Sequence, residues 1–296
     1  MWSVKELTDK QADEFWKELT VSFKPGYDVE EKNSFIEFMS TEIKEGKVKY
    51  YGIFDDNENI VGGFRASKVI TYFFLNKQGS QEDKIIAEVL KKIKRNEQDK
   101  LRVFTKQRFI DLFLERGFKV RYQRYSMVLK PLPKFKEIKV PKGYTIKPFS
   151  AEQLSQVAEI LVDGYAGTID ERIFGKSSKE ETEESLKKII NGEEKEFPFL
   201  DEATFLAYSP EEPIGVIFIT LYQDSPLVYT MAVKKQHQGK GIGKAILQFS
   251  INSLSKRYNQ LVLYVTRGNT RAEELYKSIG FKQISDDLVA LEKVVS

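Results

Sequence analysis

The sequence contains no cysteine and only one histidine in 296 residues. Without cysteine, the chain can form no disulfide, no thiolate zinc site and no cysteine nucleophile. A lone histidine argues against a metal centre built from several imidazoles. We therefore expect no bound metal, and any group transfer must proceed without a thiol carrier on the protein.

Long apolar runs are also missing, both at the start of the chain and further along it. No stretch approaches the length of a membrane span, and the first residues lack the apolar run of a signal peptide. These absences favour a cytoplasmic protein with no membrane contact. The net charge of +3 gives no footprint for nucleic acid.

Charge is unevenly distributed between the two halves of the chain. Residues 1–142 carry 29 Lys and Arg against 22 Asp and Glu, whereas residues 143–296 carry 18 against 22. Two interpretations are open: the halves present complementary surfaces, or the acidic half attracts a cationic amine.

The chain repeats itself across a segment rich in proline and lysine. Trp2–Thr8 matches Tyr144–Ser150 in residue character, and Arg108–Phe118 aligns without gaps on Arg271–Phe281. The patterns of Arg108–Phe118 and Arg271–Phe281 each predict a short amphipathic helix that ends on a glycine. The repeat unit of about 140–150 residues has the size of a domain. We therefore predict domains at 1–130 and 143–296, joined by an extended linker at 131–142.

The second copy has the pattern of a mixed α/β domain, with strands and interspersed helices. A capping box at Ser178–Glu181 begins one of its helices. A polar loop is expected over residues 164–177. Strands are predicted near 144–148, 203–208, 213–222, 227–233, 261–266, 281–284 and 288–294, and helices near 151–163, 178–191, 240–257 and 270–279.

A glycine-rich segment, Gln236–Gly243 (hereafter the glycine loop), joins a predicted strand to a predicted helix. Glycines at alternate positions allow a tight turn, and the first amides of the helix are unpaired donors. Such a helix start suits a phosphate or pyrophosphate. The spacing fits neither a Walker loop nor the dinucleotide fingerprint. The alternative is a glycine-rich strand-to-helix turn that binds nothing.

Two motifs resemble those of the GNAT acetyltransferase superfamily. Gln236-His-Gln-Gly-Lys-Gly241 is similar to its pyrophosphate-binding pattern, Gln/Arg-x-x-Gly-x-Gly/Ala. Asn269-Thr-Arg-Ala-Glu-Glu-Leu-Tyr-Lys-Ser-Ile-Gly-Phe281 looks like the segment that follows the fifth strand in that family. The two lie one helix and one strand apart, as in GNAT enzymes. The resemblance implies two GNAT-type domains in tandem, each a mixed, mostly antiparallel sheet flanked by helices.

The resemblance also implies acetyl-CoA as co-substrate and assigns residues to it. The backbone of the strand before the glycine loop would pair with the pantetheine arm, the loop amides would hold the pyrophosphate, and Asn269 would bind the pantetheine. Tyr276 would protonate the CoA sulfur; alternatively, it is a core aromatic residue. The cofactor-binding residues are Met231, Ala232, Val233, Gln238, Gly239, Lys240, Gly241, Ile242, Gly243, Lys244, Asn269 and Tyr276. His237 occupies a variable position of the motif.

The first copy lacks all of these features. Phe113 stands in place of Tyr276, Lys106 stands near the place of Asn269, and residues 75–81 contain a single glycine. We predict that this copy keeps the fold but does not bind acetyl-CoA. Tandem members such as mycothiol synthase are similar in carrying one working half.

The general base and the acceptor site are less determined. Many GNAT members carry a glutamate on the strand before the glycine loop, whereas here that strand has no carboxylate. Asp224 and Glu202 are candidates, as is a water chain held by Tyr229 or Thr230. An acceptor pocket that suits an organic ammonium would draw on the 164–174 loop and later aromatic residues. Its predicted members are Tyr165, Asp170, Phe174, Phe199 and Tyr222.

The resulting prediction is an acetyl-CoA-dependent N-acetyltransferase that acts on an amine of a small molecule or peptide by direct attack in a ternary complex. The alternative is a non-catalytic acyl-CoA sensor or scaffold. O-acetylation and longer acyl chains remain open, since the glycine loop would grip only the CoA end. We expect a monomer or a weak homodimer.

Overall fold

The computed structural model describes residues 2–23, 29–46, 48–67, 69–76, 82–92, 100–222, 225–284 and 288–294. The chain forms two compact units, one comprising residues 1–125 with 285–296 and the other residues 126–284. Among the described helices, none combines the length and the apolar character needed to cross a lipid bilayer.

The N-terminal unit is a mixed sheet with helices. Its strands follow the order β1-β2-β3-β4-β5-β13-β6, and all recorded pairs are antiparallel except β4–β5. The strands are β1 Ser3–Glu6, β2 Lys49–Phe54, β3 Ile60–Ala66, β4 Ile70–Leu75, β5 Lys100–Lys106, β6 Lys119–Leu129 and β13 Leu288–Val294, and the helices are α1 Ala12–Phe23, α2 Val29–Glu45, α3 Glu82–Lys91 and α4 Ile110–Leu114.

The C-terminal unit repeats this plan. Its strands follow the order β11-β10-β9-β8-β7, with β10–β11 the parallel pair among those recorded, and β12 pairs with the end of β6. The strands are β7 Thr145–Pro148, β8 Phe205–Tyr208, β9 Pro213–Tyr222, β10 Ser225–Val233, β11 Leu261–Thr266 and β12 Lys282–Gln283, and the helices are α5 Leu154–Tyr165, α6 Ile169–Phe174, α7 Lys179–Ile190, α8 Ile242–Leu254 and α9 Thr270–Ile279. The predicted fold class, mixed and mostly antiparallel, is confirmed.

The internal repeat extends to individual hydrogen bonds at the start of each copy. Thr8 and Ser150 each begin a capping box, in which the backbone N–H donates to Gln11 or Gln153 at 3.0 Å. In both units a 12-residue helix follows.

The ends of the two copies agree as well. Gly117 and Gly280 have φ of 78° and 110°, the left-handed conformation predicted for the helix stop. The next residue then donates its N–H back into the helix: Phe118 to the Phe113 carbonyl at 3.2 Å, and Phe281 to the Tyr276 carbonyl at 3.1 Å.

The unit boundaries differ from the predicted ones at both ends. The C-terminal strand β13 lies between β5 and β6 and buries Val289 and Leu291 in the core of the N-terminal unit. The predicted linker belongs to the C-terminal unit, where Phe135 exchanges two hydrogen bonds of 2.8 Å with the Asn252 side chain of α8. Both differences come from pairing between distant segments, which local composition does not encode.

The sheet of the C-terminal unit has helices on both faces. Val216 and Phe218 of β9 share a core cluster with α5 and α7, whereas a methyl group at the neighbouring Gly215 would lie 3.0 Å from Ile246 of α8. Since successive residues of a strand point to opposite faces, α8 packs on the face opposite to α5 and α7. The predicted loop at 164–177 contains a helix of its own, α6, capped by Thr168.

Candidate active site

In the C-terminal unit, a β-bulge in β10 marks the point where the pairing of β10 with β11 ends. Along β9 and β10, Val228 pairs with Ile219 and Thr230 with Phe218, so Tyr229 is the extra residue of a bulge. The parallel pairs with β11 are at Leu227 and Val228, before the bulge. Beyond it, Thr230 to Val233 remain paired with β9 alone in the recorded ladders. Their outer backbone edge can therefore accept another extended chain.

The glycine loop follows this free edge directly. Gly239 and Gly241 have φ of 81° and 86°, a conformation that strongly favours glycine. A methyl group added at either residue would meet no heavy atom within 4 Å, so both face open space. Gly241 is the N-cap of α8, and no side chain caps that helix. The first amides of a 13-residue helix are thus left without a side-chain acceptor, which suits an anion.

Gly243, the third glycine of the loop, lies close to both α9 and β10. It lies within α8, and a methyl group there would lie 3.7 Å from Leu275 of α9 and 4.0 Å from the Met231 methyl of β10. This contact brings the glycine loop, the free edge of β10 and the helix that carries Tyr276 together. The structure thereby unites the residues of the two sequence motifs.

Side-chain hydrogen bonds hold the glycine loop in place. Gln238 donates from Nε2 to the Val233 carbonyl at 2.7 Å, and its Oε1 accepts from Arg271 of α9. The Lys235 N–H donates to Asp163 of α5 at 2.6 Å. The loop is therefore fixed from two helices before any ligand arrives, which lowers the entropic cost of binding.

Lys234 anchors the start of this loop through an ion-pair cluster. Its ammonium is nearly buried and lies 2.9 Å from Glu159 and 2.6 Å from Glu212. Burial alone would lower the pKa of Lys234, but the hydrogen bonds to the two carboxylates outweigh it and the pKa is raised. Hydrogen bonding to Lys234 likewise holds the pKa of Glu159 below its ordinary value.

Lys240 and Lys244, the two lysines predicted to bind the cofactor, are exposed. Gly239, which precedes them in the glycine loop, is exposed as well. The ammonium of Lys240 donates to the Tyr144 hydroxyl at 3.1 Å, and this hydroxyl lies 3.0 Å from Nδ1 of His237. Lys244 lies in the first turn of α8. Ile242, by contrast, is buried in the core beneath the loop.

Asn269 caps α9 and contacts the segment predicted to contain the acceptor site. Its Oδ1 accepts from the Ala272 N–H at 3.3 Å, and its Nδ2 donates to Asp170 at 3.1 Å. The other oxygen of Asp170 accepts from the Thr266 hydroxyl at 2.6 Å. Asp170 is thus occupied by neutral donors from β11 and α9, and is not held in an aromatic ammonium pocket.

Tyr276 is 8% exposed and packs against Phe281, with ring centroids 5.7 Å apart. It lies one residue beyond Leu275, the contact of Gly243. Its burial is that of a core aromatic residue, the predicted alternative. The role of Tyr276 as proton donor stays a prediction.

The predicted acceptor aromatics fall into different environments. Phe199 stacks on Phe218 with ring centroids 4.6 Å apart and is partly buried against the core cluster of α5 and α7, and its role as a pocket residue stays a prediction. Tyr222 stacks on Phe197, which also contacts Tyr229. Phe174 is 49% exposed at the end of α6.

At the bulge itself, polar groups are present. The Tyr165 hydroxyl lies 2.9 Å from Oγ1 of Thr230, so α5 and the bulge of β10 share a hydrogen bond. The pKa of the Tyr229 phenol is raised by burial and by the nearby Glu194 carboxylate.

Of the two predicted general bases, the structure describes only Glu202. Glu202 pairs with Arg257, and its carbonyl accepts from Ser253 near the far end of α8. About ten residues of helix separate Ser253 from Gly243, or about 15 Å. The role of Glu202 as general base stays a prediction. Asp224 lies outside the described residues.

The N-terminal unit has a bulge at the matching strand, but its strands remain together. Two residues of β4, Tyr72 and Phe73, oppose one residue of β3. Beyond Tyr72 the parallel pairing resumes, with Phe73 opposite Thr105 of β5. Phe113 fills this region, fully buried against Phe73 with ring centroids 5.2 Å apart. The gap found between β10 and β11 is therefore closed here.

The first copy also differs at the positions that correspond to Asn269 and to the glycine loop, and the structure describes part of these two regions. Lys106, which stands near the place of Asn269, is buried at the end of β5. Of the segment that replaces the glycine loop, residues 77–81 lie outside the described part of the chain.

Sequence reasoning missed several residues that build the site. Arg271 and Asp163 fix the glycine loop, and Tyr144 receives Lys240. None carries a motif signal, since each acts through a partner distant in sequence.

The comparisons with known proteins agree with this geometry. Residues 174–291 match the family described as Acetyltransferase (GNAT) domain. The chain carries a GNAT acetyltransferase domain. The resemblance drawn from the glycine loop and the Asn269–Phe281 segment is thus confirmed, since both motifs lie inside the matched residues.

Curated relatives of this GNAT domain match over short stretches. A mycothiol acetyltransferase from Renibacterium salmoninarum is 39% identical over 61 residues, which is 20% of this chain and 18% of that protein. An N-alpha-acetyltransferase from Sulfurisphaera tokodaii is 39% identical over 59 residues, 19% of this chain and 35% of that protein. The chain therefore spans only 18% of the first relative and 35% of the second.

Solved structures resemble the chain over nearly its whole length. A GCN5-related N-acetyltransferase from Sphaerobacter thermophilus has a TM-score of 0.71 at 12% identity, covering 99% of this chain and 95% of that one. A tandem GNAT protein from the clavulanic acid biosynthesis pathway has a TM-score of 0.63 at 8% identity, covering 99% and 98%. At such identities the likeness establishes the fold, and it extends to the N-terminal unit.

Proposed function

We propose that the C-terminal unit transfers an acetyl group from acetyl-CoA to an amine of a small molecule or peptide, by direct attack in a ternary complex. The observation that carries this proposal is the end of the β10–β11 pairing at the bulge, directly beside the uncapped start of α8. The name N-alpha-acetyltransferase of one relative also specifies a nitrogen acceptor.

The residues present fit the CoA group. The open space at Gly239 and Gly241 is what a pyrophosphate needs in order to approach the backbone, and a Cβ at either residue would intrude on it. The edge of β10 beyond the bulge offers backbone hydrogen bonds to an extended arm with amide groups, apart from the Val233 carbonyl, which accepts from Gln238. When bound, acetyl-CoA supplies a thioester, which activates the acetyl group toward attack.

The protein's own groups then have defined tasks. The amides of Gly239–Gly243 bind the phosphates, since the Gln238 N–H already donates to the Lys235 carbonyl at 3.2 Å, and the edge of β10 orients the pantetheine arm. Tyr276 donates its phenolic proton to the sulfur that leaves, since a phenol can protonate a thiolate at neutral pH. The acceptor ammonium first loses its proton to solvent through water held at the bulge by Thr230 and Tyr165, and the neutral amine then attacks the thioester carbonyl. The proton that the nitrogen releases as the amide forms restores the Tyr276 phenol. There is no cysteine in the chain to carry the acetyl group.

A non-catalytic acyl-CoA binder is the second candidate, and one observation favours it. No carboxylate stands on β10, and the Glu202 carboxylate pairs with Arg257. In that case the unit would bind acetyl-CoA without releasing a thiol.

The test compares wild type with Tyr276→Phe. Calorimetry measures acetyl-CoA binding, and thiol release is followed over a panel of amines. We expect Tyr276→Phe to bind acetyl-CoA within about twofold of wild type and to lose about 10²-fold or more in kcat, the usual contribution of a general acid. Tyr258→Phe, beyond the other end of α8, is the matched control and should keep wild-type rates. Binding without thiol release on any amine would favour the second candidate, and an unchanged rate in Tyr276→Phe would refute the assigned role.

A further inference from the structure

The segment from Asp163 to Asp170 (hereafter the strap) crosses from the end of β10 to the end of β11. On the β10 side, Asp163 accepts the Lys235 N–H at 2.6 Å and the Tyr165 hydroxyl bonds to Thr230. On the β11 side, Asp170 accepts from Thr266 at 2.6 Å and from Asn269 at 3.1 Å. The strap therefore joins the two strands where their own pairing has ended.

The strap is also stiff between its anchors. Thr168 donates from Oγ1 to the Tyr165 carbonyl at 2.7 Å and accepts from the Glu171 N–H at 3.2 Å. Glu171 in turn accepts the Gly167 N–H at 2.6 Å. The turn between the two anchors is therefore braced by side-chain as well as backbone hydrogen bonds.

Close packing supports the hydrogen bonds at both ends. A methyl group at Gly164 would lie 2.8 Å from Ala232 Cβ, and one at Gly268 would lie 3.1 Å from Ile169. Both glycines are thus needed for the strap to approach the strands.

We infer that Asp170 is a positioning residue for the proposed acyl-CoA site: its carboxylate orients the amide of Asn269 and holds the strap across the gap between β10 and β11. This inference rests on the proposed function, which gives acetyl-CoA as the ligand of the site. Asp170 does not contact reacting atoms in this scheme. It fixes which Asn269 atoms face the gap, because the side-chain oxygen of Asn269 already caps α9 and one amide hydrogen is taken by Asp170.

The contact can be reversed without losing hydrogen bonds, which provides a sharp test. In Asp170→Asn, the new amide can still accept from Thr266 but sets a donor against the Asn269 amide. In the double variant Asp170→Asn with Asn269→Asp, the new amide at position 170 donates to the new carboxylate at position 269, and that carboxylate still caps Ala272. Donor and acceptor are exchanged while the geometry is kept.

Two measurements distinguish an effect on the strap from an effect on the reaction. Without ligand, tryptic cleavage after Arg172 in α6 reports opening of the strap. With acetyl-CoA, KM and kcat are measured separately. For Asp170→Asn we expect cleavage and the KM for acetyl-CoA to rise about tenfold or more, the size expected for losing a hydrogen bond to a charged group, with kcat less affected. Asp201→Asn, an exposed carboxylate elsewhere in the unit, should match wild type.

The double variant decides the outcome. Recovery of both the cleavage rate and the KM toward wild type supports the inference. A double variant as defective as Asp170→Asn, or an Asp170→Asn protein with unchanged cleavage and KM, overturns it. If the wild type binds no acetyl-CoA, the proposed function fails, and the cleavage assay then decides by itself whether Asp170 holds the strap.

Discussion

The clearest perturbation of the proposed CoA site is a single methyl group at Gly241. Gly241 and Gly143 have the same φ of 86°, and a Cβ at either would meet no heavy atom within 4 Å. Alanine in this conformation costs about 1–2 kcal/mol. Gly241→Ala and Gly143→Ala should therefore lower the free energy of unfolding by similar amounts. For a unit of this size, each kcal/mol corresponds to a fall in Tm of about 2–4 °C.

The two variants should differ only in ligand binding. Gly241 begins α8, so its substitution either puts a methyl group into the anion site or shifts the first amides. The loss of one hydrogen bond to a charged group is worth about 1.5–3 kcal/mol, or about 10–150-fold in Kd for acetyl-CoA. Gly143 lies outside the loop, and Gly143→Ala should bind as wild type does.

Calorimetry with acetyl-CoA and thermal unfolding of both variants provide the measurement. Equal Kd values for Gly241→Ala, Gly143→Ala and wild type would refute the assignment of the glycine loop as the pyrophosphate site. A weaker Kd in both variants would show that the effect is one of general destabilisation.

Two further predictions concern the ion-pair cluster and the C-terminal strand. Lys234→Met should lower the stability of the C-terminal unit by about 1–3 kcal/mol, because Glu159 and Glu212 lose their shared partner; unchanged thermal unfolding would contradict this. Since the pKa of Glu159 is lowered in the folded state, its contribution is present above about pH 4 and is lost as the pH falls through the lowered value. A Glu159→Gln protein should accordingly show a smaller loss of stability than wild type on acidification. Leu291→Ala, at a residue 1% exposed in β13, should destabilise the N-terminal unit by about 2–5 kcal/mol. Hydrogen exchange should then increase within residues 1–125, and an increase confined to 143–284 would refute the observed unit boundary.

Features determined by neighbouring residues were predictable from the sequence. The capping boxes at Thr8 and Ser150, and the left-handed stops at Gly117 and Gly280, depend on contacts within a few positions. The glycine loop belongs to the same group, since positive φ and an uncapped helix start follow from the glycine pattern itself. These local features were sufficient to predict the repeat, the fold class and the position of the proposed anion site.

Partners of individual side chains could not be read in this way. Asp170 lies among residues that suggested a cation pocket, but in the structure it accepts hydrogen bonds from Thr266 and Asn269. Phe199 stacks on Phe218, a partner that the local sequence does not indicate. Such choices depend on which segments meet in space.

The sequence by itself thus determined the GNAT motifs, their pairing and the loss of the motif residues in the first copy. Only the tertiary structure decided that β13 completes the N-terminal unit, that β4 and β5 stay paired while β10 and β11 separate, and that the strap spans the gap. The physical reason is the range of the interactions. Turns and caps are satisfied by neighbouring residues, whereas strand pairing and side-chain anchoring are settled by segments far apart in the chain.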